Sequence, residues 1–304
     1  MNRYSLLTIC AVIIVCSFSC KKEQEVFEDN TPPPYSGIST LEVQNYVNRV
    51  FIDLIGREPL DSEMDTEVEL LEQNELSTAA RTSLIHKIQF KKDSLPGDSS
   101  YFIAYHKKLY EDTKARLLEG SSDNYIMGEY NLYRGFAIAD SINGNPVGYE
   151  LNSAEANRLM DILNSQYLLR DSLITPQIMY SRMMFNSIYD EINMNSFNFI
   201  NAVFDDCYFR FPTQAEFNAS FPVIENNEAS VILGEVAQNK NDYVNIIVNN
   251  QEFDEGIVIW AFQSLLNRTP QTNEALELST HFTANKNIPY IQEKILITDE
   301  YAGF

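Results

Sequence analysis

The chain has 304 residues, of which 44% are hydrophobic and 21% are charged, and it contains 17 Tyr and 18 Phe. This composition is typical of a folded globular protein and argues against wholesale disorder. The formal net charge of -21 at pH 7 argues against nucleic acid and anionic lipid headgroups as partners, because charges of like sign repel.

The N-terminus resembles a bacterial lipoprotein signal peptide over residues 1–19. Residues 6–18 form an apolar stretch that is too short to span a bilayer, which takes roughly 20 helical residues. Small residues and then Cys20 follow directly. We predict that Cys20 is lipidated and that this lipid holds the protein at the bacterial outer membrane. An ordinary secretory signal and an uncleaved anchor are the alternatives, since Ser17 stands where such signals usually have Leu.

The composition of residues 20–37 predicts a flexible tether. This stretch mixes charges of both signs and contains three consecutive prolines, so it cannot bury a core. Glu23, Glu25 and Glu28 resemble signals that send lipoproteins to the outer face of the outer membrane, and a merely solvated linker explains them equally well. The periplasmic and cell-surface faces both stay open.

One pattern occurs three times in the chain and organises the predicted fold. Apolar residues stand ten, seven, six, three and two positions before an arginine, which is the stripe of an amphipathic helix. A proline follows two positions after the arginine and a glutamate six positions after it. The matched residues are Phe51, Arg57, Pro59 and Glu63, then Phe204, Arg210, Pro212 and Glu216, then Phe262, Arg268, Pro270 and Glu274.

These repeats predict an all-α protein, a helical repeat or bundle with three copies of a helix, proline turn and helix module. We place copy 1 at 38–94, copy 2 at 198–254 and copy 3 at 255–304, with an inserted helical region at 95–197. Copies 2 and 3 end in a Glu-aromatic pair that copy 1 lacks. We expect copy 1 to pack back onto the other two copies.

The repeated arginine and glutamate have a structural interpretation. We predict that each arginine lies in the last turn of the first helix and each glutamate in the first turn of the next, where the helix dipole favours these charges. Ser39 with Glu42, and Thr213 with Glu216, have the spacing of capping boxes. A catalytic Arg-Glu pair is the alternative, but three copies in one chain favour the structural role.

The inserted region contains the least regular stretch. Residues 120–151 are rich in Gly, Asn and Tyr and show no clear period, so we predict a long loop there. Such loops often carry function.

No catalytic, metal or cofactor site is predicted. The three histidines lack metal-ligand spacing, and Asp205-Asp206 and Asp190-Glu191 lack that of a calcium loop. Cys207 fills an apolar slot of the repeat and is expected to be buried rather than nucleophilic. Trp260 is expected to pack in the core or between repeats, with a sugar platform as the alternative.

The repeated string, as in Phe51-Ile-Asp-Leu-Ile-Gly-Arg-Glu-Pro, is similar to the helical repeats of bacterial extracellular domains of unknown function related to phycobilisome-linker-like modules. It also resembles a segment of helical domains in planctomycete-type cell-envelope proteins. The resemblance implies a role in interaction or assembly and brings no catalytic residues with it.

Three functions are consistent with these features. The first is a non-enzymatic scaffold or accessory subunit of an envelope complex, with the membrane and an envelope protein as partners. The second is a lipoprotein that binds glycan or peptide through residues 120–151. The third is an envelope hydrolase, which needs two carboxylates that converge in a pocket.

Overall fold

Fifteen helices and one short two-stranded sheet make up the part of the chain that the computed structural model describes, residues 37–93 and 99–304. The predicted all-α class is therefore confirmed. The predicted signal peptide, Cys20 and residues 20–36 of the predicted tether lie outside the described residues. Residues 37–304 belong to a single unit.

The helices follow one another along the chain with short connections. Copy 1 consists of α1 (Thr40–Ile55), α2 (Asp61–Gln73) and α3 (Thr78–Phe90). The inserted region contains α4 (Tyr101–Leu117), α5 (Asp123–Ile142), α6 (Pro146–Arg170), α7 (Pro176–Met184) and α8 (Ser187–Asn193). Copy 2 contains α9 (Ser196–Tyr208), α10 (Gln214–Asn226), β1 (Ser230–Ile232), β2 (Glu235–Ala237) and α11 (Lys240–Asn249). Copy 3 contains α12 (Gln251–Leu266), α13 (Thr272–Asn285), α14 (Ile288–Leu296) and α15 (Asp299–Ala302).

The two predicted capping boxes are present. The Ser39 side chain accepts from the backbone N–H of Glu42, whose carboxylate accepts from Ser39 in return. Thr213 and Glu216 form the same reciprocal pair at the start of α10. These bonds satisfy backbone N–H groups that a helix start otherwise leaves without partners.

The apolar stripes of the three repeats form the core of the bundle. Phe51 and Phe204 are fully buried and Phe262 is 3% exposed, and all three lie in helices. Every other stripe residue is buried as well, except Leu266, which is half-buried. The prediction that these faces coalesce is confirmed.

Copy 1 packs against copy 3, which is one of the two copies that it was predicted to meet. The Tyr46 hydroxyl donates to the carbonyl of Leu296, and the Arg49 guanidinium donates to the carbonyls of Leu265 and Tyr301. The Tyr301 hydroxyl donates in return to the Asp53 carboxylate, with an oxygen-to-oxygen distance of 2.7 Å. The N-terminal and C-terminal parts of the bundle therefore close on each other.

Copies 2 and 3 lie so close together at one point that no side chain fits between them. A Cβ atom placed on Gly256 in α12 would lie 1.9 Å from the carbonyl oxygen of Cys207 in α9. The backbones of α9 and α12 are therefore in contact at this point, and a residue without a side chain is required there.

The predicted loop at 120–151 is wrong. The stretch forms α5 and the start of α6, which pack against each other as a helical hairpin. Ser122 begins α5 by accepting from the backbone N–H of Tyr125. The sequence shows no clear period because α5 buries only Ile126 and Ala137, so no apolar stripe marks a single inner face.

Smaller corrections concern helix boundaries. Near the end of the inserted helical region, Phe185 and Asn186 separate α7 from α8. The Asn186 side chain accepts from the backbone N–H groups of Ile188 and Tyr189 and so starts α8. The Glu-aromatic pair Glu252-Phe253 opens α12 instead of closing copy 2.

Candidate functional site

Each repeat forms the same hydrogen-bonded turn, here called the Arg–Glu corner. The first helix ends in a residue with left-handed backbone, namely Gly56, Phe209 or Asn267. The arginine therefore lies just after the helix. The prediction that it lies in the last turn of the helix is wrong. The glutamate occupies the first turn of the next helix, as predicted.

The arginine and glutamate of each corner are joined by two parallel hydrogen bonds. The nitrogen-to-oxygen distances are 2.7 and 2.9 Å for Arg57 with Glu63, and 2.9 and 2.7 Å for Arg210 with Glu216. Both distances are 2.8 Å for Arg268 with Glu274. Such a bidentate pair matches the planar guanidinium to the carboxylate and fixes the angle between the two helices.

Two further contacts recur in every corner. The arginine also donates to the carbonyl just before the proline, at 3.0 to 3.2 Å in the three copies. Its guanidinium lies over the phenylalanine ring of the repeat, with distances to the ring centre of 5.6, 5.1 and 4.8 Å. The four repeated residue types are thus explained by one local structure.

Each corner is completed by a residue from the helix that follows the third helix of the copy. Glu252 in α12 binds Arg210, and Glu300 in α15 binds Arg268. In copy 1 the Tyr101 hydroxyl at the start of α4 donates to Glu63 at 2.6 Å. The sequence had shown the matching Glu-aromatic pairs but not their contact with the arginines.

The carboxylates of the corners are held in the charged form. Burial alone would raise the pKa of Glu63, but hydrogen bonds from Arg57, Tyr101 and the Leu60 backbone outweigh it and lower the pKa to about 2. Hydrogen bonds from Arg210 likewise lower the pKa of Glu216 to about 2. With both oxygens of these carboxylates already accepting hydrogen bonds, the corners are suited to holding helices and not to proton transfer.

Cys207 is buried, as predicted. It is 2% exposed, its sulfur lies 3.6 Å from the Met184 sulfur, and burial raises the pKa of its thiol well above the usual range. A thiol that stays protonated is a poor nucleophile.

The histidines do not form a shared site. His86 pairs with Glu293, and the His281 ring stacks on Tyr290 with ring centres 3.6 Å apart. Nδ1 of His106 lies 2.8 Å from the carbonyl oxygen of Phe102. Over residues 37–93 and 99–304, no group of three or more His, Cys, Asp and Glu side chains is placed to hold a metal ion.

The two acidic pairs singled out in the sequence bind other parts of the chain. Asp190 pairs with Lys240, and Glu191 accepts from the Tyr125 hydroxyl. Asp206 accepts from the Tyr189 hydroxyl at 2.7 Å. Burial raises the pKa of Asp206 to about 6, against the opposing effect of this hydrogen bond.

Asp206→Asn is expected to stabilise the protein at pH 7.5. Because the folded pKa of Asp206 is raised above the ordinary value of 3.8, the folded state binds more protons than the unfolded state between about pH 4 and 6. Stability therefore falls as pH rises through this window. The substitution should raise the free energy of unfolding by about 1 to 2 kcal/mol at pH 7.5 and by less at pH 4. Urea unfolding at both pH values measures this, and an equal change at both would contradict the assignment.

Trp260 is buried, with 9% exposure, in the wall of a small cavity of about 260 Å³. Asp53 and Asp112 line the same cavity. Asp53 accepts from the Tyr301 hydroxyl, and Asp112 pairs with Lys108. Burial raises the pKa of Asp112. Two carboxylates do approach one cavity, but each already holds an internal partner.

The α5–α6 hairpin exposes more large apolar side chains than its length predicts. In the described part of the chain, 25 large hydrophobic residues are exposed, and nine of them lie between residues 125 and 151. Those nine are Tyr125, Met127, Leu132, Phe136, Ile138, Ile142, Val147, Tyr149 and Leu151. Such a concentration on the surface is typical of an interaction site.

Six exposed residues of α5 lie in a row along the helix, and we call this row the α5 seam. They are spaced alternately three and four residues apart: Tyr125, Gly128, Leu132, Gly135, Ala139 and Ile142. This is the spacing of residues that face a partner in a pair of packed helices. Arg134 is the one charged residue of α5 in the exposed class, and it lies outside the seam.

The two glycines of the seam have no structural role within the chain. Each costs about 1 kcal/mol relative to Ala in the interior of a helix. A Cβ atom placed on Gly128 or Gly135 would have no neighbour within 4 Å, and neither residue has positive φ. At the packed position of Gly256, by contrast, a neighbouring backbone requires glycine.

The described helices include none that is both long and apolar enough to cross a bilayer. No protein-family model, curated protein or solved structure matches the chain.

Proposed function

We propose that the protein is a lipid-anchored, non-enzymatic scaffold or accessory subunit of a bacterial outer-membrane complex, and that it binds a partner protein through the α5 seam. The predicted lipid site Cys20 supports the location. The exposed seam on a helix that buries only two of its own residues supports the binding role. The three Arg–Glu corners hold the bundle that carries the hairpin.

The partner surface that fits the seam is an uncharged, apolar helix. The seam carries no charge, although the chain as a whole carries -21, so the partner needs no complementary charge along it. Glycines seven residues apart leave two shallow gaps that let a second helix approach closely. Leu132, Ala139 and Ile142 would then pack around the partner's side chains.

The seam favours a protein partner over a glycan or peptide held in a groove. A glycan-binding surface needs exposed aromatic rings that line a concave site, whereas the seam is a row along one helix and contains one aromatic residue, Tyr125. The hydrolase alternative has less support, because Asp53 and Asp112 are each bound to another side chain.

Leu132→Glu is expected to abolish partner capture without unfolding the chain. Leu132 is 47% exposed, and Glu is about as good a helix former as Leu. The control is Leu276→Glu in α13, at a residue that is 65% exposed and far from the hairpin in sequence. The full-length variants are purified from crosslinked native envelopes, and co-isolated proteins are compared by quantitative mass spectrometry.

We expect one protein to be reduced at least tenfold by Leu132→Glu and less than twofold by Leu276→Glu. Equal recovery in both variants would contradict the proposal. If sedimentation shows that the detergent-solubilised chain self-associates through the seam, the occupant is a second copy of this chain, which would contradict a separate partner. If Leu132→Glu reduces binding of the protein to lipid vesicles but leaves protein capture unchanged, the seam binds lipid instead, which would also contradict the proposal.

A further inference from the structure

A cavity lies where copy 1, the inserted region and copy 3 meet. Its volume is about 600 Å³, which is within the range of roughly 300 to 1,000 Å³ typical of small-molecule sites. It is lined by the end of α3, by α4, by the connection between α6 and α7, and by the connection between α13 and α14. It is separate from the α5 seam, none of whose residues lines it.

Three cationic side chains line this cavity in a protein that is strongly acidic overall. They are Lys92, Arg170 and Lys286, and Asp171 is the one acidic residue of the lining. Arg170 is paired with Asp171, and Lys286 is paired with Asp254 behind the wall. Lys92 lies over the Phe102 ring, 4.7 Å from its centre. With the two pairs neutralised, the cavity keeps a net positive charge from Lys92.

His106 supplies a further polar group to the wall. Its Nδ1 atom is 2.8 Å from the carbonyl oxygen of Phe102, so Nδ1 carries the hydrogen and Nε2 carries the lone pair of the neutral ring. Burial lowers the pKa of His106 and outweighs the hydrogen bond to the Phe102 carbonyl, which raises it; the nearby charges of Arg170 and Lys92 lower the pKa further, and Asp171 raises it. The imidazole is therefore neutral at pH 7 and gains a second donor as pH falls.

The rest of the lining contains both apolar and polar side chains. The apolar side chains include those of Phe102, Leu109, Leu169 and Ile174. A small inorganic ion would not bind to these groups. A bare anion such as phosphate would use only part of the volume. The combination of charge, a titratable ring and apolar walls is suited to a molecule with an anionic head and an apolar body.

We propose that this cavity binds a small organic anion, a carboxylate or phosphate group carried on an apolar body, with the anionic group near Lys92, Arg170 and His106. The proposal is independent of the protein partner. Because a bound anion favours the charged imidazole, affinity should increase as pH falls below 7 toward the lowered pKa of His106. The charged groups that face His106 or lie in the same lining are Lys92, Arg170, Asp171 and Lys286.

The test is calorimetric titration of the full-length, detergent-solubilised protein at low ionic strength with benzoate, phenyl phosphate and inorganic phosphate. We expect saturable binding of one or both aromatic anions, at least tenfold tighter than inorganic phosphate and tighter at pH 5.5 than at pH 7.5. Binding of benzoate alone or of phenyl phosphate alone identifies which anionic group the site prefers.

Lys92→Gln and Arg170→Gln should each weaken binding about tenfold, whereas Lys107→Gln, an exposed lysine on α4 outside this cavity, should change it less than twofold. His106→Gln should remove most of the pH dependence. Far-UV circular dichroism verifies that each variant is folded, and Lys92 is exposed, so its replacement should not unfold the chain. No saturable binding at either pH, or equal weakening by Lys107→Gln, would overturn the proposal.

Discussion

Gly256→Ala should lower the free energy of unfolding by at least about 3 kcal/mol, the largest effect expected from a single methyl group in this chain. The new Cβ atom would lie 1.9 Å from the carbonyl oxygen of Cys207 and 3.0 Å from its carbonyl carbon. Since both are backbone atoms of α9, no side-chain rotation can relieve the clash, and α9 and α12 must move apart. Urea unfolding followed by circular dichroism measures the change.

Gly135→Ala is the matched control, because it places the same methyl group on another helical glycine. A Cβ atom there meets nothing within 4 Å. Ala favours the helix over Gly, so this variant should be about 0.5 to 1 kcal/mol more stable than the natural chain. If Gly256→Ala were as stable as Gly135→Ala, the close contact between copies 2 and 3 would be wrong.

Arg210→Met should lower the free energy of unfolding by about 2 to 3 kcal/mol at pH 7. It would leave Glu216 and Glu252 without the guanidinium that binds both of them. The effect is smaller than for a fully buried pair, since the Arg210 side chain is 34% exposed and the glutamates are 20% and 30% exposed. Arg210→Lys should recover only part of the loss, because an ammonium group cannot form the two parallel bonds.

The pH dependence of this variant tests the same corner. The folded pKa of Glu216 lies well below the ordinary value of 4.5, so its contribution to stability is present above about pH 4.5 and is lost as pH falls toward 2. Arg210→Met should remove this contribution, so the difference between the two proteins should shrink in acid. Arg268→Met should have a smaller effect at pH 7, because Glu300 is 51% exposed. An equal loss for both arginines would show that burial of the corner is unimportant.

Much of the bundle could be predicted because its helices carry a one-sided apolar stripe. The spacing around Phe51, Phe204 and Phe262 predicts buried helices, and the proline with its flanking arginine and glutamate predicts a tight turn. Local chemistry decides both features, so a single sequence is enough. The start of copy 1 at Ser39 and Glu42 follows from the same kind of local bond.

The parts that the sequence did not predict depend on contacts between distant residues. Glu252 lies 42 residues from Arg210, and only the packing of α12 on α9 brings them together. The α5–α6 hairpin was not predicted for a different reason. Its helices have few buried neighbours, so α5 lacks a single inward apolar stripe and the seam glycines are typical of a loop.

The most direct test of the α5 seam as a binding surface is partner capture by the double variant Gly128→Ala and Gly135→Ala. Both methyl groups point into open space within the chain, so the variant should be more thermostable than the natural protein. If a partner helix packs against the seam, the same methyl groups should hold it off and reduce crosslinked capture at least tenfold. Greater stability with unchanged capture would show that no helix packs there.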